Sequence, residues 1–110
     1  MKLLTQGIRC KLPPLGSTDA LPHDRLVVQA KFFTPDSSWT WYALEFDGED
    51  TFFGLVSGFE VELGYFSLSE LVSVRGPLGL PIERDRWFEP VPLSRLPEYR
   101  RWAGAEEAVP

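Results

Sequence analysis

The chain has 110 residues, 44% of them hydrophobic and 14% aromatic, with a formal net charge of −5. That is enough apolar material for one core and excludes a disordered chain, while no run of about 18 apolar residues is present to span a membrane. Cys10 is the single cysteine, which excludes an internal disulfide and, with one histidine at His23, excludes a closed four-ligand zinc site.

At the N-terminus, MKLLTQGIRC lacks an apolar core and a small-residue cleavage site, so no signal peptide is expected and the cytoplasm is the expected compartment. Leu4, Ile8 and Leu12 recur at helical spacing behind Thr5, a suitable N-cap, and Pro13-Pro14 stops the run. Residues 15–24 read as loop. Residues 25–33 read as a first strand, with Leu26, Val28, Ala30 and Phe32 on one face.

The stretch 39–65, WTWYALEFDGEDTFFGLVSGFEVELGY, predicts a three-stranded antiparallel meander. Its runs are aromatic, aliphatic and β-branched, and Asp47-Gly48 is a strong hairpin signal because glycine accepts a positive φ. Strict alternation over 59–65 places Phe59, Val61, Leu63 and Tyr65 on one face and Glu60 and Glu62 on the other, so one face of the meander is expected to be wet and acidic. Ser67 and Glu70 have capping-box spacing and predict a two-turn helix with Leu68, Leu71 and Val72 inward. Residues 75–81, RGPLGLP, end it as an irregular loop, residues 82–88 form a last strand bounded by Pro90 and Pro92, and residues 94–103 form a C-terminal helix, with 104–110 frayed. The fold class is α+β: one domain over 1–110, an antiparallel sheet of four to five strands with two to three short helices packed on one face.

Charge is distributed unevenly. Between Lys31 and Arg75 no basic residue occurs, while Asp36, Glu45, Asp47, Glu49, Asp50, Glu60, Glu62 and Glu70 all fall there. Arg75, Arg84, Arg86, Arg95, Arg100 and Arg101 crowd the last third, interleaved with Trp87, Phe88, Tyr99 and Trp102. That tail has the residue types for stacking and phosphate contact, but Glu83, Asp85, Glu89 and Glu98 cancel most of its charge, which argues against direct nucleic-acid binding. No catalytic set is legible. Nucleophilic chemistry has only Cys10 and His23 to draw on, and the glycines lack the spacing of a phosphate cradle.

The segments KFFTPDSSWTWYALEFDGEDTFFGLVSGFEVELGYFSLSEL and VRGPLGLPIERDRWFEPVPLSRL, with LLTQGIRCKLPPLGSTD before them, resemble the bacterial family called domain of unknown function 2958 over about residues 3–96. The resemblance implies a small cytoplasmic protein of the kind often encoded on plasmids and integrated elements, sometimes near anti-restriction genes. It transfers no catalytic motif and no cofactor.

The reading reached is a small non-enzymatic inhibitor or adaptor that binds a host or defence-system protein with a basic surface, in its most specific form an anti-CRISPR or anti-restriction protein. The expected partner-binding residues are Glu45, Asp47, Glu49, Asp50, Glu60 and Glu62, since complementary potential orients docking. A second candidate surface comprises Arg75, Leu78, Leu80, Glu83, Arg84 and Asp85. The alternatives are a metal-dependent or enzymatic site on the Asp47–Asp50 turn or at Glu83–Asp85, and a nucleic-acid accessory using the late arginines. No metal or cofactor is expected under the first reading.

Overall fold

In a computed structural model, which describes residues 2–107, a five-stranded antiparallel sheet organises the chain. In chain order the elements are α1 (Gln6–Lys11), β1 (Val27–Val28), β2 (Ala30–Phe33), β3 (Thr40–Phe46), β4 (Thr51–Ser57), β5 (Val61–Ser67), α2 (Leu68–Ser73), β6 (Glu83–Arg84), β7 (Val91–Pro92) and α3 (Pro97–Glu107). Short 3-10 turns cover His23–Arg25 and Leu93–Arg95. The large sheet runs β5-β4-β3-β2-β6, and β1 pairs with β7 in a second, two-stranded sheet.

The meander forms as its composition directs. β3 pairs with β4 from Thr40↔Ser57 to Phe46↔Phe52, and β4 pairs with β5 from Thr51↔Ser67 to Ser57↔Val61. The β3–β4 ladder is broken once, between Ala43 and Glu45, where Leu44 is the extra residue of a bulge. Gly54 faces this irregularity, and a Cβ there would lie 1.8 Å from the Tyr42 carbonyl oxygen, so only glycine lets the strands approach.

Both faces of the sheet are covered, which corrects the expectation of a wet, acidic face. One core gathers Ala30, Phe32, Trp41, Ala43, Phe46, Phe52 and Phe66 under Leu3, Leu4, Leu12, Leu71 and Ile82. The other gathers Tyr42, Leu44 and Leu55 under Leu26, Val28, Leu93 and Leu96. Two helices, α1 and α2, therefore serve one face, and α3 with the preceding turn serves the opposite one. The physical reason is supply: apolar residues at both termini give the sheet two covers, and β3 buries every residue from Trp41 to Phe46 between them.

The first strand differs from its reading. It divides at Gln29, whose amide donates to the Ala43 carbonyl at 3.0 Å, and the division sends Leu26 and Val28 to one core and Ala30 and Phe32 to the other. β1 then pairs with β7 for two residues only, because Pro92 has no N–H to extend a ladder. The last strand is likewise short, β6 holding the sheet edge at Phe33↔Glu83 and Phe32↔Arg84.

The capping signals hold. Thr5 Oγ1 accepts from the Ile8 amide at 3.2 Å, and Ser67 Oγ accepts from the Glu70 amide at 3.1 Å while donating to Glu70 Oε1 at 2.9 Å. Leu71 is buried in α2, but Val72, expected inward, is 57% exposed. α3 begins at Pro97, where a missing N–H is harmless, and continues past Gly104 to Glu107 instead of fraying there; residues 108–110 lie outside the described part. No helix among the described residues is long and apolar enough to cross a membrane.

Candidate functional site

Glu45 drops out of the surface set. It is 1% exposed, and its carboxylate accepts hydrogen bonds from the Gly16 amide at 2.8 Å, the Thr18 amide at 3.0 Å and the Thr18 hydroxyl. The bulge at Leu44 shifts the pairing register beside Glu45, and the loop 14–20 supplies the donors that a buried charge requires. This corrects the expectation that Glu45 belongs to the partner-binding acids.

Asp47 and Asp50 are exposed or half-buried but already occupied. Asp47 Oδ1 accepts from the amides of Glu49, Asp50 and Thr51 at 2.8, 2.8 and 3.0 Å, which holds its carboxyl below the usual carboxylate range. Asp50 reaches α2: its Oδ1 accepts from the Ser69 amide and its Oδ2 from the Ser69 hydroxyl, both at 2.8 Å. The carboxylates of Asp47 and Asp50 thus accept from the fold's own donors. Among the described residues, no group of three His, Cys, Asp or Glu side chains is gathered as metal ligands. Glu49 is exposed at the tip of the turn.

Glu60 and Glu62 lie at the opposite end of the meander. The seven residues of β4 separate them from Asp47, a distance on the order of 20 Å along the strand. The six acids therefore do not form one surface: one is internal, three belong to the β3–β4 turn and two to the β4–β5 turn and the strand after it.

That second turn carries a feature the alternation pattern did not reveal. Val61, not Phe59, begins β5, and Phe59 stands 95% exposed in the turn between Gly58 and Glu60. The turn closes by the Gly58 amide donating to the Glu60 carbonyl at 3.0 Å. Phe59 is propped edge-to-face on Trp39 at 5.4 Å, and Trp39 stacks on Trp41 at 5.8 Å. A Cβ at Gly58 would lie 2.3 Å from the Trp39 ring, so the glycine admits the tryptophan that supports the tip. The outcome is a supported aromatic ring standing clear of the core, followed in the chain by the exposed Glu60 and Glu62.

Trp39 also belongs to an open groove of about 640 Å³ along β2 and β6, where Phe33 and Trp87 supply the other rings. Trp87 is 89% exposed; its amide donates to Asp85 Oδ1 at 3.0 Å, and Asp85 Oδ2 lies 3.9 Å from Lys31 Nζ. Lys31, Arg84, Arg86, Glu83 and Asp85 around the groove sum to one net positive charge, in contrast to the tip.

The second candidate surface divides. In the loop 75–81, Asp36 Oδ2 accepts from the Leu78 amide at 2.8 Å, and Arg75 donates to the carbonyls of Val72 and Val74, both at 3.0 Å. Leu78 is 79% exposed and Leu80 is also exposed, so neither caps the core, whereas Ile82 is buried in it. Glu83, Arg84 and Asp85 lie instead in and beside β6, where the Arg84 guanidinium is directed to the Lys2 and Leu3 carbonyls. Cys10 and His23 have other partners: Cys10 Sγ accepts from Gln6 at 4.0 Å, and His23 Nδ1 lies 2.9 Å from the Tyr99 hydroxyl. Burial raises the phenol pKa of Tyr42, and its hydrogen bond to Glu98 raises it further.

The family described as Protein of unknown function (DUF2958) matches residues 3–109. The chain belongs to this family. No curated protein and no solved structure matches this DUF2958 chain, so its chemistry has to be read from its own residues. Those residues single out the Phe59 turn, for which the sequence signal was the triplet Gly-Phe-Glu interrupting two strands.

Proposed function

We propose that this DUF2958 protein is a non-enzymatic protein-binding module, an inhibitor or adaptor, that docks on a basic surface of a host protein through Phe59, Glu60 and Glu62. The observation that supports the reading is Phe59, exposed, backed by Trp39 and followed by the exposed Glu60 and Glu62. A supported aromatic is the kind of side chain that anchors interfaces, and exposed acid beside it steers and orients a basic partner. The mobile-element setting implied by the family resemblance gives the partner its most specific form, a CRISPR effector or restriction enzyme whose nucleic-acid path the acidic tip occupies.

Expression in host strains that each carry one restriction or CRISPR system tests this form. The wild-type chain should raise the plating efficiency of a targeted phage in at least one strain, and the variant Phe59→Ala/Glu60→Lys/Glu62→Lys should not. Equal protection by wild type and variant would remove the tip from the mechanism.

A further inference from the structure

The outer edge of the large sheet gives the proposed module a means of holding its partner. β5 pairs with β4 on one side over all seven of its residues and, among the described residues, has no strand on the other. In an antiparallel ladder, alternate residues turn their N–H and C=O groups away from the paired neighbour. Among the described residues, no loop, helix or side chain hydrogen-bonds the backbone of Val61–Phe66 from outside that pairing. No proline, no lysine and no bulge interrupts the strand, and α3 packs against it where Tyr99, Val61 and Leu63 line the same core.

Charge and shape restrict what fits there. Glu62, Gly64 and Phe66 point to one side of the sheet, and Val61, Leu63 and Tyr65 to the other. Glu60 precedes the strand and Asp50 and Glu70 lie at its far end, with no basic residue in the interval 32–74; Arg100 and Arg101 come from α3, which packs against β5. A Cβ built at Gly64 meets nothing within 4 Å, so the side of Glu62 has room beside the edge for a large side chain from a neighbouring strand. A second copy pairing antiparallel about Gly64 would bring Glu60 and Glu62 toward Glu70 and Asp50 of the other chain at both ends, acid against acid.

We infer that β5 accepts an extended basic segment of the protein partner by strand addition. Its Lys or Arg and one bulky residue lie on the side of Glu62 and Gly64, and its apolar residues lie on the side of Leu63 and Tyr65. This rests on the proposed function and specifies its contact, since the Phe59 turn leads directly into the same strand.

The test is an NMR titration of the isotope-labelled full chain with the hexapeptide Lys-Val-Trp-Val-Lys-Val. Shift changes and slowed amide exchange are expected along Val61–Ser67. Glu62→Lys should weaken binding about fivefold. Gly64→Lys should abolish it with an unchanged melting temperature, and the peptide carrying Glu for Lys should not bind. Absence of binding, shifts confined to Phe59 and the groove, or self-association of the chain without peptide would each overturn strand addition. The proposed function is not lost with it, because a folded basic partner can dock on the tip alone; capture of that partner decides it separately.

Discussion

Glu45 ties a loop to the sheet from inside the fold. Its carboxylate is buried and satisfied by three donors from Gly16 and Thr18, so the side chain holds the loop 14–20 against β3. Glu45→Ala leaves those donors unpaired and opens space, and should lower the unfolding free energy by about 3 kcal/mol in chemical denaturation. Asp47 makes a different, pH-dependent contribution. Its folded-state pKa is depressed by the amides of Glu49, Asp50 and Thr51, so its stabilisation is present above the unfolded value near 3.9 and is lost as pH falls through the folded value. Asp47→Asn should therefore melt below wild type at pH 7, and the gap should close progressively below about pH 4, as thermal melts would record. A gap that widened in acid would contradict the assignment. Because Asp47 and Asp50 build the turn and join it to α2, reversing their charge disturbs the fold itself, whereas the exposed Glu60 and Glu62 serve as clean probes of docking at the Phe59 end.

At the scale of elements, the β3–β4 pair depends on a backbone approach that admits no side chain. Gly54→Ala would set a Cβ 1.8 Å from the Tyr42 carbonyl oxygen, and should destabilise the protein by about 3 kcal/mol, measured by denaturant unfolding. A neutral substitution would mean that the bulge at Leu44 relaxes easily. The elements legible in the sequence were those defined by local chemistry. Thr5 and Ser67–Glu70 marked two helix starts, Asp47-Gly48 marked a hairpin, and uninterrupted aromatic and aliphatic runs marked its strands. What sequence could not supply depends on tertiary context. Alternation over 25–33 was real, yet a change of sheet at Gln29 sent its two halves to different cores. Alternation over 59–65 extended one residue pair beyond the true strand, because a turn residue and a strand residue can continue the same pattern. The pattern therefore sets Phe59 on the strand face of Val61 and Leu63, whereas it stands in solvent in the turn.

At the scale of the molecule, the composition placed the acid correctly in the middle of the chain but could not say how the sheet would distribute it. A meander that reverses direction puts neighbouring turns at opposite ends, so the Asp47–Asp50 turn and Glu60 were bound to separate once β4 reached seven residues. Burial of both sheet faces then left the turns and edges to carry the surface chemistry. The acidic turn tip at Phe59 and the open edge of β5 are contiguous, whereas the groove between Trp39 and Trp87 carries the opposite net charge. Under the proposed function, end and edge together form the docking surface, and the packed sheet keeps Trp39, Gly58 and Phe59 in position.

Affinity capture from a bacterial host, with and without nuclease treatment, tests protein binding through this tip most directly. A stoichiometric protein partner is expected that survives nuclease, dissociates as salt is raised, and is lost from Phe59→Ala/Glu60→Lys/Glu62→Lys but not from a Trp87→Ala control. Recovery of nucleic acid alone, removed by nuclease, or retention of the partner by the triple variant would contradict it.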